Sequence, residues 1–412
     1  MDTKVPALIK RNVALFSLSQ SFTGAGMQFS YGFGPLMVIS LTGSSGLAGL
    51  SVGLIGLSRF LVAYPMGKVT DKRGRKPGIY LGLALALVGA LMLGFAMVLR
   101  STALFVAGLL AFGMGMNGAQ QMRVAVTDMF PPRFRARALG YVALGSLAGL
   151  VISPLMVAAA DTMSRRYGVD PLGLPWFFLP ILIVTGMIVV TFVRPDPKEI
   201  GLNLEKYWPG FKGHPWTRDA APKDTSPLKL LANPSIRLAI LSNCAASGNM
   251  SIVMVLTSLV LSHHGHSLVS IAITHMFHSA GMFAFTIPLG KLADRFGRAR
   301  VMFPGVFVSL IGAALVAFTS NILTVGLGTF LVGIGWAAAN VAATAFIADH
   351  AETEERGRAI GVNDSFAGGI TVFSALVTGP LIQGYGLPAA GLTAVILAAV
   401  PFVLRAFSGP MK

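Results

Sequence analysis

Long apolar segments alternate with short polar ones along the whole chain. Twelve windows of about 20 mostly apolar residues can be drawn, which is the length that a helix needs to cross a bilayer. They cover residues 13–36, 48–66, 78–99, 103–127, 139–160, 174–193, 238–261, 268–289, 301–319, 323–348, 360–382 and 387–404. Lipid accommodates only helices or closed barrels, and the alternation typical of barrel strands is absent. The pattern therefore predicts an all-α membrane protein with twelve transmembrane helices.

The composition and the charge distribution fit a chain that lies in lipid. Charged residues make up 12% of the 412 residues, against about a quarter in soluble proteins. Of the 32 Lys and Arg residues, 27 fall in segments on one side of the predicted membrane. This bias follows the positive-inside rule, so we expect both termini in the cytoplasm and no nucleic-acid partner. The single cysteine excludes an intramolecular disulfide and a cysteine-based metal site.

One short basic loop occurs twice. Residues 67–76 read Gly-Lys-Val-Thr-Asp-Lys-Arg-Gly-Arg-Lys, and residues 290–298 read Gly-Lys-Leu-Ala-Asp-Arg-Phe-Gly-Arg, at a constant separation of 223 residues. The segment from Asp128 to Arg137 likewise aligns with Asp349 to Arg358 at 221 residues. Constant separations indicate two parallel repeats of six helices. We predict halves at residues 1–194 and 238–412, joined by a proline-rich cytoplasmic linker at 195–237.

This duplicated loop on a six-plus-six chain resembles the major facilitator superfamily, and the resemblance covers nearly the whole chain. It implies the fold of that family, two six-helix bundles around a central cavity, and alternating access by rocking of the halves. In the family, the aspartate of the loop holds the start of span 11, and the arginine pairs with an acid at the end of span 4. The residues that match this cytoplasmic latch are Gly67, Asp71, Arg75 and Asp128 in the first half and Gly290, Asp294, Arg298 and Asp349 in the second.

Polar residues inside the spans are candidates for substrate binding. Arg59 lies eight residues before Gly67, roughly 12 Å along the helix. A charge at that depth is costly in lipid, so Arg59 either anchors an anionic substrate group or pairs with an acid near the inner face. The other candidates are Gln28, Tyr31, Asn249, Trp336 and Asn340.

Three residues are candidates for proton coupling. His275 and His278 are three residues apart on span 8 and share one helix face, and histidine titrates near neutral pH. The alternative is that both are packing residues that hydrogen-bond across helices. Asp364 lies near the inner end of span 11, where it either carries a proton or pairs with an arginine of the loop. The histidines of the outer hairpin lack a carboxylate partner in sequence, so we expect no metal site.

These patterns predict a multi-pass secondary transporter of a bacterial inner or plasma membrane. We expect a monomer with a small-molecule substrate, protons as the coupling ion, no cofactor and no enzymatic activity. The leading hypothesis is proton-coupled export of amphipathic compounds. The first half lacks the membrane acid and the span 5 glycine-proline signature of the exporters that it resembles, which disfavours organic cations. The alternative is an uptake or exchange carrier for a small organic anion, with Arg59 holding the charge.

Overall fold

The computed structural model describes residues 5–131, 134–209, 211, 231–350 and 356–406. Within these residues the regular structure is helical. The first repeat contains α1 (Ala7–Thr23), α2 (Ala25–Thr42), a short 3-10 helix (Ser45–Leu47), α3 (Leu50–Arg73), α4 (Arg75–Val98), α5 (Thr102–Ala119), α6 (Gln121–Asp128), α7 (Arg135–Tyr167) and α8 (Pro175–Thr191). Two short helices follow, α9 (Pro197–Leu202) and α10 (Leu204–Tyr207). The second repeat contains α11 (Pro234–His263), α12 (Leu268–Ala284), α13 (Thr286–Phe296), α14 (Ala299–Ala317), α15 (Ile322–His350), α16 (Arg356–Tyr385) and α17 (Leu387–Ala406).

Membrane-spanning helices dominate the described part of the chain. Nine helices there are long and apolar enough to cross a bilayer, and α12 with α13, bent by 41°, makes a tenth. The first predicted span is two helices that meet at Gly24, and the fourth is two helices that meet at Gln120. The all-helical membrane class is confirmed, while the count of twelve and the cytoplasmic termini stay predictions.

The chain forms two compact units. Unit 1 comprises Met1–Ser30 and Leu54–Pro215, and unit 2 comprises Tyr31–Gly53 and Trp216–Lys412. In unit 1, α4 packs along α5 and α8, and α1 packs on α7 and α8. In unit 2, α14 packs along α15, and α11 contacts α15, α16 and α17. The two equivalent pairs, α4 with α5 and α14 with α15, show that the duplication also exists in the packing.

Residues 31–53 belong to unit 2 although the sequence places them in the first half. Glycines permit their close packing against α16. A Cβ atom on Gly49 would overlap the carbonyl group of Ala375, and one on Gly379 would overlap the carbonyl group of Gly46. These contacts are between backbones, so a side chain at either position cannot be accommodated by a change of rotamer.

Each copy of the basic loop contains a glycine that the backbone requires. Gly74 separates α3 from α4 with φ of 100°, and Gly297 separates α13 from α14 with φ of 99°. Only glycine adopts this region at low cost. The two residues are 223 positions apart, like the rest of the loop. The second glycine of the motif is therefore a geometric requirement of the turn between two helices.

Candidate functional site

The arginine of each loop is paired with the acid that the sequence predicted for it. In unit 1, Arg75 Nε donates to Asp128 Oδ2 at 2.7 Å, and the two side chains are only 16% and 25% exposed. Asp128 is the last residue of α6, where the helix dipole disfavours a carboxylate. Arg75 offsets that cost with a charge-assisted hydrogen bond.

The second loop repeats this arrangement in unit 2. Arg298 Nε donates to Asp349 Oδ2 at 3.1 Å, and Arg298 also forms an ion pair with Asp294 one turn away. Burial opposes the charge on Arg298, but the hydrogen bonds and charges of the two acids raise the pKa of Arg298 above its ordinary value. A Cβ atom on Gly290 would lie 3.9 Å from the Val341 side chain, so this position is not closely packed. Gly67 and Asp71 lie on α3. Their contacts lie outside the described part of the structure, so the latch remains a prediction.

A carboxylate that the sequence analysis missed holds the first loop to the end of span 6. Asp196 accepts hydrogen bonds from the backbone N–H of Arg75 at 3.1 Å and of Lys76 at 3.0 Å. It also accepts from the backbone N–H of Lys198 at 2.9 Å. Asp196 therefore caps the first turns of both α4 and α9, where unpaired N–H groups and the helix dipole favour a negative charge.

The residues that follow Asp196 pack on the same face of unit 1. Ile200 is fully buried, and Trp208 is 3% exposed. The Trp208 indole Nε1 donates to the Met129 carbonyl at 2.8 Å, and its ring stacks on Phe134. The start of the predicted linker, residues 196–208, thus packs on unit 1 beside the first basic loop.

Two of the predicted substrate residues lie together in unit 2. Trp336 Nε1 donates to Ser247 Oγ at 3.1 Å, and Asn340 Nδ2 donates to Asn243 Oδ1 at 3.2 Å. Residues four apart on a helix share a face, so the pairs form two rungs between α11 and α15. We call Asn243, Ser247, Trp336 and Asn340 the polar ladder. Its groups are all uncharged, and one is a large aromatic ring.

Asn249 lies outside the polar ladder. Its Nδ2 donates to Ser309 Oγ at 2.7 Å and to the Ser309 carbonyl at 3.1 Å, and Asn249 is fully buried. This geometry is that of a residue that joins α11 to α14. Gln28 is buried on α2, and Tyr31 is half-buried one turn further along the same helix. Gln28 belongs to unit 1 and Tyr31 to unit 2.

Arg59 is exposed on α3 of unit 1. The preceding residue, Ser58, is buried and lies 3.5 Å from Asn117 Nδ2 on α5. The charge of Arg59 acts on that of Arg123 on α6. Two guanidinium groups within electrostatic reach of each other form a positive region in the first repeat.

The two histidines of α12 are buried. Ser258 Oγ donates to the Gly32 carbonyl at 2.8 Å and lies 2.9 Å from His275 Nε2. A hydroxyl has one hydrogen, so His275 donates from Nε2, and its buried Nδ1 has no partner within the described residues. His278 Nδ1 lies 2.9 Å from the Thr329 carbonyl and donates to it. Each imidazole thus donates one hydrogen bond from one ring nitrogen to a neighbouring helix or side chain.

No carboxylate lies on α11 or α12, the two helices that carry His275, His278 and Ser258. Asp364, by contrast, is exposed on α16 and accepts from Asn363 Nδ2 at 3.3 Å. Among the described residues, no group of three His, Cys, Asp or Glu side chains has the geometry of a metal site.

Comparisons with known proteins agree with this architecture. The family model described as Major Facilitator Superfamily matches residues 16–277 and 238–410. The uncharacterized MFS-type transporter YdeG of Bacillus subtilis is 26% identical over 400 residues, which cover 96% of this chain and 91% of that protein. The riboflavin transporter RfnT of Brucella anthropi is 25% identical over 411 residues, with 96% of each chain covered.

Two further similarities are to a multidrug resistance protein and to a solved structure. The multidrug resistance protein MdtG of Enterobacter lignolyticus is 27% identical over 417 residues, which cover 98% of this chain and 92% of that one. A crystal structure of a mutant of the nucleoside transporter NupG superposes with a TM-score of 0.72 at 13% identity, covering 98% of this chain and all of the other.

The duplicated helical repeats and their paired loops define a membrane transporter rather than an enzyme. The match of the family model over nearly the whole chain then makes the assignment specific. The chain belongs to the major facilitator superfamily.

Proposed function

We propose that the protein exports small amphipathic molecules across a bacterial cell membrane by proton-coupled alternating access. The observation that carries the proposal is the polar ladder, in which uncharged hydrogen-bonding groups flank the indole of Trp336. Such a surface suits a substrate with a large apolar ring and a few amide or hydroxyl groups. The names of two relatives, a riboflavin transporter and a multidrug resistance protein, support substrates of this chemical type.

The proton carrier in this proposal is Asp364 rather than the histidine pair. A carboxylate becomes neutral when it takes up a proton, whereas a histidine becomes charged. Charging His275 or His278 is costly because both are buried without a carboxylate on their own helix or on α11. Asp364 is exposed and belongs to a hydrogen-bonded chain that reaches the polar ladder.

Proton movement in proteoliposomes tests the proposal. The purified protein is reconstituted with a pH-sensitive dye inside, and riboflavin, the cation tetraphenylphosphonium and an aromatic carboxylate are added in turn. We expect a transported compound to move protons in the opposite direction. Asp364→Asn should abolish that proton movement while the compound still equilibrates down its gradient. The double variant His275→Gln/His278→Gln should keep it.

Two results would contradict these assignments. Transport by the unaltered protein without proton movement would overturn proton coupling. Loss of coupling in the histidine variant, with normal coupling in Asp364→Asn, would assign the proton to α12 instead.

The positive region at Arg59 favours a second candidate, a carrier for small organic anions. Arg59→Gln is then expected to raise the KM for an aromatic carboxylate by about tenfold, since one charged hydrogen bond is worth about 1.5 kcal/mol or more. The KM for riboflavin should stay the same. Arg165→Gln, which removes an exposed arginine paired with Asp161, is the matched control. An equal rise in the KM for both compounds would show that Arg59 acts through the fold of unit 1 instead.

A further inference from the structure

Three asparagines and one aspartate form a continuous hydrogen-bonded chain across unit 2. Asn340 Nδ2 donates to Asn243 Oδ1 at 3.2 Å, and Asn243 Nδ2 donates to Asn363 Oδ1 at 3.1 Å. Asn363 Nδ2 donates to Asp364 Oδ1 at 3.3 Å. We call these four residues the amide chain. It connects α15, α11 and α16, and every bond in it points toward the carboxylate.

The burial of the amide chain makes its direction cooperative. Asn243 and Asn363 are 0% exposed, so reversing one amide alone would leave two buried groups of like kind facing each other. A buried polar group without a partner costs about 1–3 kcal/mol. The amides therefore keep their common direction or reverse together. The two ends are accessible, since Asn340 is half-buried and Asp364 is exposed.

We propose that the amide chain transmits the protonation state of Asp364 to the polar ladder. This inference rests on the proposed function, in which the ladder binds substrate. An ionised carboxylate only accepts hydrogen bonds, whereas a protonated one also donates. When Asp364 takes up a proton and donates it in a hydrogen bond to Asn363, the three amides rotate in turn. The proton itself stays on Asp364, and no covalent bond other than its O–H changes.

The rotation changes what Asn340 offers to a substrate. With Asp364 ionised, Asn340 donates into the chain, and its oxygen is left to accept from a substrate hydroxyl or N–H group. With Asp364 protonated, Asn340 accepts from Asn243 and presents its amino group instead. A substrate held through its donor is bound in the first state and released in the second. Proton and substrate would then exclude each other, as exchange transport requires.

Other titratable groups lie on the elements that pack against α16. These elements are α11, α15, α17 and the 3-10 helix at Ser45–Leu47, of which the last carries no titratable side chain. The groups on the others, and on α16 itself, are Arg237, Cys244 and His263 on α11, Asp349 and His350 on α15, Arg405 on α17 and Arg356, Arg358 and Tyr385 on α16. The Asp364→Asn variant distinguishes the titration of Asp364 from that of these other groups.

Infrared difference spectroscopy on the full-length protein in a bilayer tests the inference with protons as the only probe. As the pH falls, a carboxyl C=O band that is absent in Asp364→Asn should appear. Asparagine side-chain bands should shift with the same midpoint. In Asn363→Leu the carboxyl band should remain, while the asparagine response is lost. Asn340→Leu, at the accessible end, should remove only the contribution of Asn340 to the asparagine response.

A matched control and the contrary outcomes complete the design. Asn249→Leu removes an equally buried asparagine that is bonded to Ser309 and lies outside the amide chain, so it should leave the response intact. The inference is overturned if the asparagine bands do not shift when the Asp364 carboxyl band appears. The experiment needs no substrate. Absence of proton-coupled transport with a normal spectral response therefore counts against the proposed function alone, and coupled transport without that response counts against the amide chain alone.

Discussion

Replacing Gly49 by valine should reduce transport of every substrate about fivefold or more, because overpacking a backbone contact typically costs about 1–3 kcal/mol. Gly49 lies between the 3-10 helix and α3, against α16. A Cβ there would overlap the Ala375 carbonyl group, and the atoms that it meets belong to the backbone. The strain can be relieved only by moving residues 45–53 away from α16. Initial rates of uptake into proteoliposomes, for a compound that the unaltered protein transports, measure the effect.

Gly384→Val supplies the control for this prediction. Gly384 lies on the same helix, α16, and no atom is within 4 Å of the position that its Cβ would take. Its transport rate and its apparent unfolding temperature should match those of the unaltered protein. Normal transport by Gly49→Val would show that the packing of residues 31–53 in unit 2 is not required during the transport cycle.

The position of these residues in unit 2 could not be read from the sequence. Periodicity identifies a helix and its apolar character, but backbone contact through Gly46, Gly49 and Gly379 is a tertiary property. The basic loops were predictable because their chemistry is local and repeated. Gly74 and Gly297 adopt the same positive φ, and Arg75 and Arg298 bind equivalent acids.

The candidate substrate residues illustrate a second limit. Asn249, Trp336 and Asn340 were equivalent in the sequence, since each is a polar or aromatic residue in an apolar helix. Nearly all of α11 from Leu238 to Leu261 is buried. A helix that is buried all round has no exposed polar face to indicate which of its residues point toward a substrate. Only the partners distinguish the residues: Asn249 bonds α14, whereas Trp336 and Asn340 bond α11.

Asp196 was missed although its local signal is present. An aspartate followed directly by proline is a common start of a helix, and α9 begins at Pro197. The second role of Asp196 has no local signal, because the N–H of Arg75 is 121 residues away in sequence. One carboxylate thus joins the first basic loop to the segment after span 6, and this junction is accessible to a direct measurement.

Asp196→Ala should lower the stability of unit 1 by about 2 kcal/mol or more, because it removes caps worth about 1 kcal/mol each from α4 and α9. The apparent unfolding temperature should fall by about 5 °C for a unit of this size. Asp196→Asn retains an oxygen that can accept one of these bonds, so it should recover part of the loss. Scanning fluorimetry in one detergent and one buffer measures all three proteins.

Asp161→Ala is the matched control, since Asp161 also pairs with a basic residue but at an exposed position one turn from Arg165. An exposed pair of this kind contributes about 0.3–0.5 kcal/mol, so its removal should shift the unfolding temperature by no more than about 1–2 °C. If Asp196→Ala and Asp161→Ala unfold alike, the hydrogen bonds of Asp196 do not hold the loop, and other contacts, such as those of Trp208 and Ile200, attach the segment to unit 1. A larger fall for Asp196→Ala, partly restored by asparagine, would establish that the carboxylate fixes the start of α4 and thereby the position from which Arg75 reaches Asp128.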